Sequence, residues 1–173
     1  NHGTSVGDGR FIDQYIYDET ERISTAYGNY ASFCMLAAGN EPAGRNQASY
    51  LAGFVNYWKA KDKRRVYTGA SVAMSWPLVP ENEYMVKSGP RGLKWVDAEP
   101  ENSSDYLAAI KDFNVPYVTH ELGQWCVFPN FDEIGKYTGV YRARNFELFR
   151  QDLQDNGMGE RARDFFLASG KLQ

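Results

Sequence analysis

Two glutamates stand where chemistry is most readily done. Glu41 closes the segment Ala38-Gly39-Asn40-Glu41-Pro42, and Glu121 lies in Thr119-His120-Glu121-Leu122-Gly123-Gln124-Trp125. Each follows a short apolar run that reads as a strand. In parallel α/β folds the loops after strand carboxyl ends carry the working residues, so both glutamates are expected at one mouth. A carboxyl pair of this kind suits glycoside chemistry. One protonated carboxyl donates to the leaving oxygen, and the ionised partner attacks the anomeric carbon or activates water. A separation of about 5–5.5 Å implies retention of configuration, and a wider gap implies inversion.

The neighbours fit that chemistry. Asn40, directly before Glu41, can hydrogen-bond a sugar 2-hydroxyl, a contact that strengthens in the transition state. Trp76, Trp125 and Tyr117 offer apolar ring faces for a pyranose. On the residues alone a plainer reading is equally good: Glu41 as a carboxylate at a helix N-terminus, and Glu121 as a surface loop residue.

Other chemistries are poorly supplied. The only histidines are His2 and His120, and the only cysteines Cys34 and Cys126. No C-x-x-C or H-x-x-x-H spacing occurs, so no structural metal and no cofactor are expected. Both cysteines lie in apolar neighbourhoods and read as buried thiols. Nineteen Lys and Arg stand against 22 Asp and Glu, a net charge of −3, so the composition gives no sign of a nucleic-acid partner. No stretch approaches the apolar length of a membrane span. Apolar residues make up 43% of the 173 and charged ones 24%, the balance of a folded domain.

The elements that must position the two glutamates can be read in order. A helix follows Asp8 or Gly9, with Ile12, Tyr15, Ile16 and Ile23 as its inward stripe and Gly28 as its stop. Ala31 to Ala38 is an unbroken apolar run, expected as a strand buried on both faces. A second helix covers about Gln47 to Ala60, with Leu51, Phe54, Val55 and Trp58 inward. The cations from Lys59 to Arg65 complement its C-terminus and a solvated turn. Val66–Ala70 is a strand, and Glu83–Val86 a short one inside a proline-rich connection from Ser71 to Asn102. A third helix starts at Ser103 or Ser104 and ends at Asn114, before a strand over Pro116–His120. The tail is helical on either side of a break at Asn156-Gly157. Alternating helices and apolar strands indicate an α/β fold with parallel strands and right-handed crossovers.

Gly39-Asn40-Glu41-Pro42 and His120-Glu121-Leu122-Gly123, in that order, resemble the two active-site segments of the clan of retaining glycosidases that includes glycoside hydrolase family 2. The segments His120–Pro129 and Arg144–Arg150 resemble family 2-related enzymes of Bacteroides-like gut bacteria, which implies a periplasmic or secreted bacterial protein. The resemblance spans nearly the whole chain. It implies a partial (β/α)8 TIM barrel, about four parallel strands with flanking helices, in which residues 1–173 supply strands four to seven of a catalytic domain.

By the same resemblance Glu41 is the acid/base, Glu121 the nucleophile, and Asn40 the residue on the 2-hydroxyl. Trp76 lies in the loop above strand five, and His2 near the sugar after strand three. His120 departs from the family pattern, in which a small polar residue is usual, and either contacts substrate or packs beside the nucleophile. The implied substrate is an oligosaccharide or other glycoside. A whole barrel needs roughly 250 residues. A fragment of one is expected to have little turnover of its own and to self-associate through its open edges. The competing expectation is a non-catalytic α/β carbohydrate-binding or structural module.

Overall fold

The computed structural model describes residues 3–72, 79–88, 107–123 and 127–173. They divide into two compact units, one drawn from residues 1–91 and 104–122, the other from 92–103 and 123–173. No helix among the described residues is long and apolar enough to cross a membrane.

In the first unit, helix α1 runs Phe11–Tyr27. Its start is set from inside. The Asp13 carboxylate reaches back to accept the backbone N–H groups of Gly7 (2.8 Å) and Gly9 (2.7 Å), satisfying donors ahead of the first turn. Ile16 and Thr20 are its buried positions. Tyr17, rather than the expected Tyr15, turns inward. Its ring meets those of Tyr50, Phe54 and Tyr57, while Tyr15 is exposed. Helix α2, Gln47–Lys61, buries Leu51, Phe54, Val55 and Trp58, the stripe its sequence predicts. The Trp58 ring stacks on Tyr67 with centroids 6.1 Å apart, and its indole N–H donates to the Thr20 hydroxyl.

The strands are short. β1 (Met35–Ala37) pairs in parallel with β2 (Val66–Thr68), in the register Leu36 opposite Tyr67. A separate parallel sheet has the order β3 (Ser71–Val72), β4 (Met85–Lys87), β5 (Tyr117–Thr119). This overturns the partial (β/α)8 TIM barrel: the described strands form a two-stranded and a three-stranded sheet, not one row of four flanked by helices. Between the two sheets lies Gly69-Ala70, where Ala38 N–H still donates to the Gly69 carbonyl at 3.0 Å. Gly69 sits so close beneath α2 that a Cβ there would lie 2.8 Å from that of Leu51. Its N–H is also diverted to the Asn82 side chain. One isolated parallel bridge, Asn40 to Ser71, follows.

Two further expectations fail in the same region. β1 is covered on one face only. Leu36 and Ala38 are buried under the helices, while Met35 and its register partner Val66 are about two-fifths exposed. Cys34 is exposed rather than buried, and Cys126 lies outside the described residues. Of the expected third helix the described part is one turn, α3 (Leu107–Ile110).

The second unit carries a 3-10 turn (Phe131–Lys136), α4 (Arg144–Asp155) and α5 (Ala162–Leu172). Phe128 is its hub, with ring centroids 5.3–5.7 Å from those of Phe131, Phe149 and Phe165. α4 ends at Asn156-Gly157, where Gly157 takes φ +69° and Met158 N–H returns to the Leu153 carbonyl, a glycine-dependent helix stop.

The cations after α2 are structural. Asp62 accepts from the Arg64 side chain and backbone and from Arg65. Arg65 is buried, lies 4.3 Å over the Phe33 ring, and donates to the Gly28 carbonyl. It thereby ties the end of α1 to the entrance of β2. Hydrogen bonds from the Arg64 guanidinium, helped by the Arg65 charge, hold the Asp62 carboxyl well below the usual carboxylate range. A depressed folded-state pKa adds stability above the unfolded value, near 4, and loses it as pH falls toward the folded one. Asp62→Asn leaves Arg65 buried without its anion, so it is expected to cost about 3 kcal/mol at pH 7. That difference from wild type should narrow below about pH 4. Urea unfolding of both proteins at pH 7, 5 and 3 checks this, and a difference independent of pH contradicts it.

Candidate functional site

The site is built where the first unit's strands end. Beyond β1 the chain continues through Gly39 and Asn40 to Glu41, running beside Ser71. Ser71 N–H donates to the Gly39 carbonyl at 3.1 Å, and Glu41 N–H donates to the Ser71 carbonyl at 2.7 Å. The Ser71 hydroxyl also donates to the Asn40 side-chain oxygen. From the other side, Gly3 N–H is shared between the carbonyls of Asn40 (3.2 Å) and Glu41 (3.1 Å). Within this clamp Glu41 takes φ +46°, and no other non-glycine among the described residues has a positive φ. A left-handed backbone at a carboxylate is uncommon and costs about 1–2 kcal/mol, so it persists only where neighbours impose it. Pro42, directly after it, is fully buried and holds the exit.

The second arm follows β5. His120 N–H donates to the Lys87 carbonyl at 3.3 Å, extending the β4–β5 pairing by one step, and Glu121 follows. One carboxylate oxygen of Glu41, one of Glu121 and one ring nitrogen of His120 all lie within 4.8 Å of one another. All three residues are half-buried. The Nε2 atom of His120 is buried and has no hydrogen-bond partner among the described residues.

The folded chain thus brings together Glu41, Glu121 and His120, with Asn40 bonded beside them. His2, Trp76 and Trp125 lie outside the described residues. Tyr117 does not join the carboxylates. It opens β5 opposite Met85, its ring packs 5.9 Å from Phe113, and its hydroxyl donates to the Ser88 carbonyl at 3.3 Å. The end of a strand separates it from Glu121.

Two residues near the site were not legible as such. Ser71 acts through Asn40 and the Glu41 backbone, and only a partner 31 positions away reveals it. Lys87 ends β4 with its side chain buried and its ammonium 5.7 Å from the Phe113 ring centroid, and burial pushes its pKa down. Nothing in the run Met85-Val86-Lys87 marks a lysine as interior.

Two half-buried carboxylates this close can act on one atom held between them, one as acid and one as base or nucleophile. With an imidazole added, they are also of the types that ligate a divalent cation. The second unit has a polar cleft along α4 lined by Arg142, Arg144 and Arg150, but both Arg142 and Arg144 are paired with Glu147. Searches of protein-family models and of curated proteins return no match to this chain.

Proposed function

We propose that the chain carries the carboxylate pair of a retaining glycosidase, acting on an O-glycoside. The observation that carries this reading is the convergence of Glu41 and Glu121 to within 4.8 Å from opposite arms of the strand ends. Such an approach accords with the close spacing of retaining enzymes, about 5–5.5 Å between the carboxyl groups, rather than the wider gap of inverting ones. The resemblance of the two segments to glycoside hydrolase family 2 and its relatives points the same way and distributes the roles.

In this reading Glu41 gives its proton to the glycosidic oxygen as the bond to the anomeric carbon breaks. Glu121 forms a bond to that carbon from the other face, producing a glycosyl ester. Glu41, now ionised, takes a proton from water, whose oxygen displaces Glu121 and restores both groups. Asn40 holds the sugar 2-hydroxyl, and Ser71 holds Asn40. His2, Trp76 and Trp125 are assigned to the substrate by the resemblance alone. The non-catalytic alternative is a module that binds the sugar without cleaving it.

The test uses the chain, and any longer natural polypeptide that contains it, on aryl and alkyl glycosides. Glu41→Gln is expected to slow hydrolysis by about 10²–10⁴-fold where the leaving group needs a proton, and much less with activated aryl leaving groups. An activated 2-fluoro glycoside should esterify Glu121, located by peptide mass. Unchanged hydrolysis in Glu121→Gln, or sugar binding with no turnover in any form, leaves the binding module as the reading. Ser71→Ala releases one hydrogen bond on Asn40 and should lower kcat on 2-hydroxy substrates by about tenfold, at roughly 1.4 kcal/mol per decade. Its effect on 2-deoxy substrates should be far smaller, and an equal loss on both would show that Ser71 does not act through Asn40.

A further inference from the structure

We propose that Glu41, His120 and Glu121 form a binding site for a single divalent transition-metal ion of the zinc class. The inference concerns the same two carboxylates but does not depend on the glycosidase reading. Three ligand atoms mutually within 4.8 Å can be capped by one cation. Some point then lies within about 2.8 Å of all three, against roughly 2.0–2.2 Å for zinc to nitrogen or carboxylate oxygen, so binding requires the side chains to draw in by less than an ångström.

The donor set selects the ion. Calcium and magnesium take oxygen ligands, whereas imidazole with carboxylates suits zinc and its first-row neighbours. Three protein ligands leave further positions for water, the pattern of an open rather than a closed zinc site. His120 supplies an independent observation. Its Nε2 is buried and unpartnered among the described residues, while its backbone N–H is bonded to Lys87. A buried ring nitrogen in that condition, on a histidine that brings one of its two ring nitrogens to both carboxylates, calls for a partner, and a cation or its bound water provides one. The backbones of Glu41 and His120 are both held by hydrogen bonds to neighbouring segments, so binding would have to order side chains only at those two residues.

The probe is Zn2+ alone, titrated calorimetrically into the chain at pH 7, with Co2+ as the optical stand-in. One equivalent should bind. Loss of an outer-shell partner already weakens metal sites by about 10–100-fold, so His120→Asn and Glu121→Gln should each weaken binding by at least about tenfold. Cys34→Ser should leave it unchanged. Circular dichroism checks that each variant folds. Should one variant unfold, the other and the Co2+ spectrum of the unaltered chain decide. That spectrum should show d–d bands of nitrogen and oxygen ligation without thiolate charge transfer. Absence of binding, affinity unchanged in a folded His120→Asn or Glu121→Gln, or a thiolate band placing the ion on cysteine overturns the proposal. The result is read without substrate, so it neither borrows from nor decides the assay of hydrolysis.

Discussion

The left-handed backbone of Glu41 is the constraint around which the first unit is arranged. A β-carbon at φ +46° crowds its own carbonyl, and the chain relaxes out of that conformation unless both flanks are held. Both are held. Ser71 takes the N–H of Glu41 and gives its own N–H to Gly39. Gly3 bonds the carbonyls of Asn40 and Glu41, and Pro42 is locked in the interior. Three backbone hydrogen bonds, each worth about 0.5–1.5 kcal/mol net, are of the right size to offset the strain. The residue held in this conformation is the one whose carboxylate meets that of Glu121, arriving from the end of β5.

The clamp is only as firm as the strands behind it, and those strands are three residues long or less. Pairing that short has little stability in isolation. Its support is the packing of α2. Leu51 presses onto Gly69, Trp58 covers Tyr67, and the Tyr67 hydroxyl donates to the Asp62 carbonyl at 2.7 Å. Asp62 in turn is neutralised by Arg64 and Arg65, and Arg65 ties back to the end of α1 at Gly28. The chain of contacts runs from a buried ion pair at the foot of β2 to the serine that clasps Glu41 at its top. The interior charge is therefore part of how the strand ends are kept in place.

What was legible from residue order follows from periodicity, and what was not follows from tertiary contact. The stripe Leu51, Phe54, Val55, Trp58 repeats at helical spacing because one face of α2 must be dry. The helix stop at Asn156-Gly157 was equally plain, since only glycine accepts φ +69° without cost. The strand-end positions of Glu41 and Glu121 could be placed by the apolar runs before them. The division of the strands into a two-stranded and a three-stranded sheet had no local signature, and neither did the seat of Gly69 under Leu51 nor its N–H bond to the Asn82 side chain, both long-range contacts. The choice of Tyr17 over Tyr15 turns on three rings from α2, which a single-helix period cannot weigh. Ser71 and Lys87 were invisible because neither sits in a pattern; each acquires its place only from the neighbouring strand.

Bringing two carboxylates to within 4.8 Å in half-buried surroundings concentrates acceptor oxygens at one point of the strand ends. In water each charge would be screened and the pair indifferent to its spacing. Partly withdrawn from water, like charges at this distance repel appreciably. The positive charge that develops on an anomeric carbon and a divalent cation are the two proposed occupants of that point. They differ in what else they need. The sugar needs Asn40 held at its 2-hydroxyl and apolar faces for its ring. The cation needs a further donor, and His120 provides one whose ring nitrogen nothing else among the described residues engages. A histidine is not required for two-carboxylate hydrolysis. On these two proposals, a sugar and a metal ion would compete for the same two carboxylates rather than occupy separate sites.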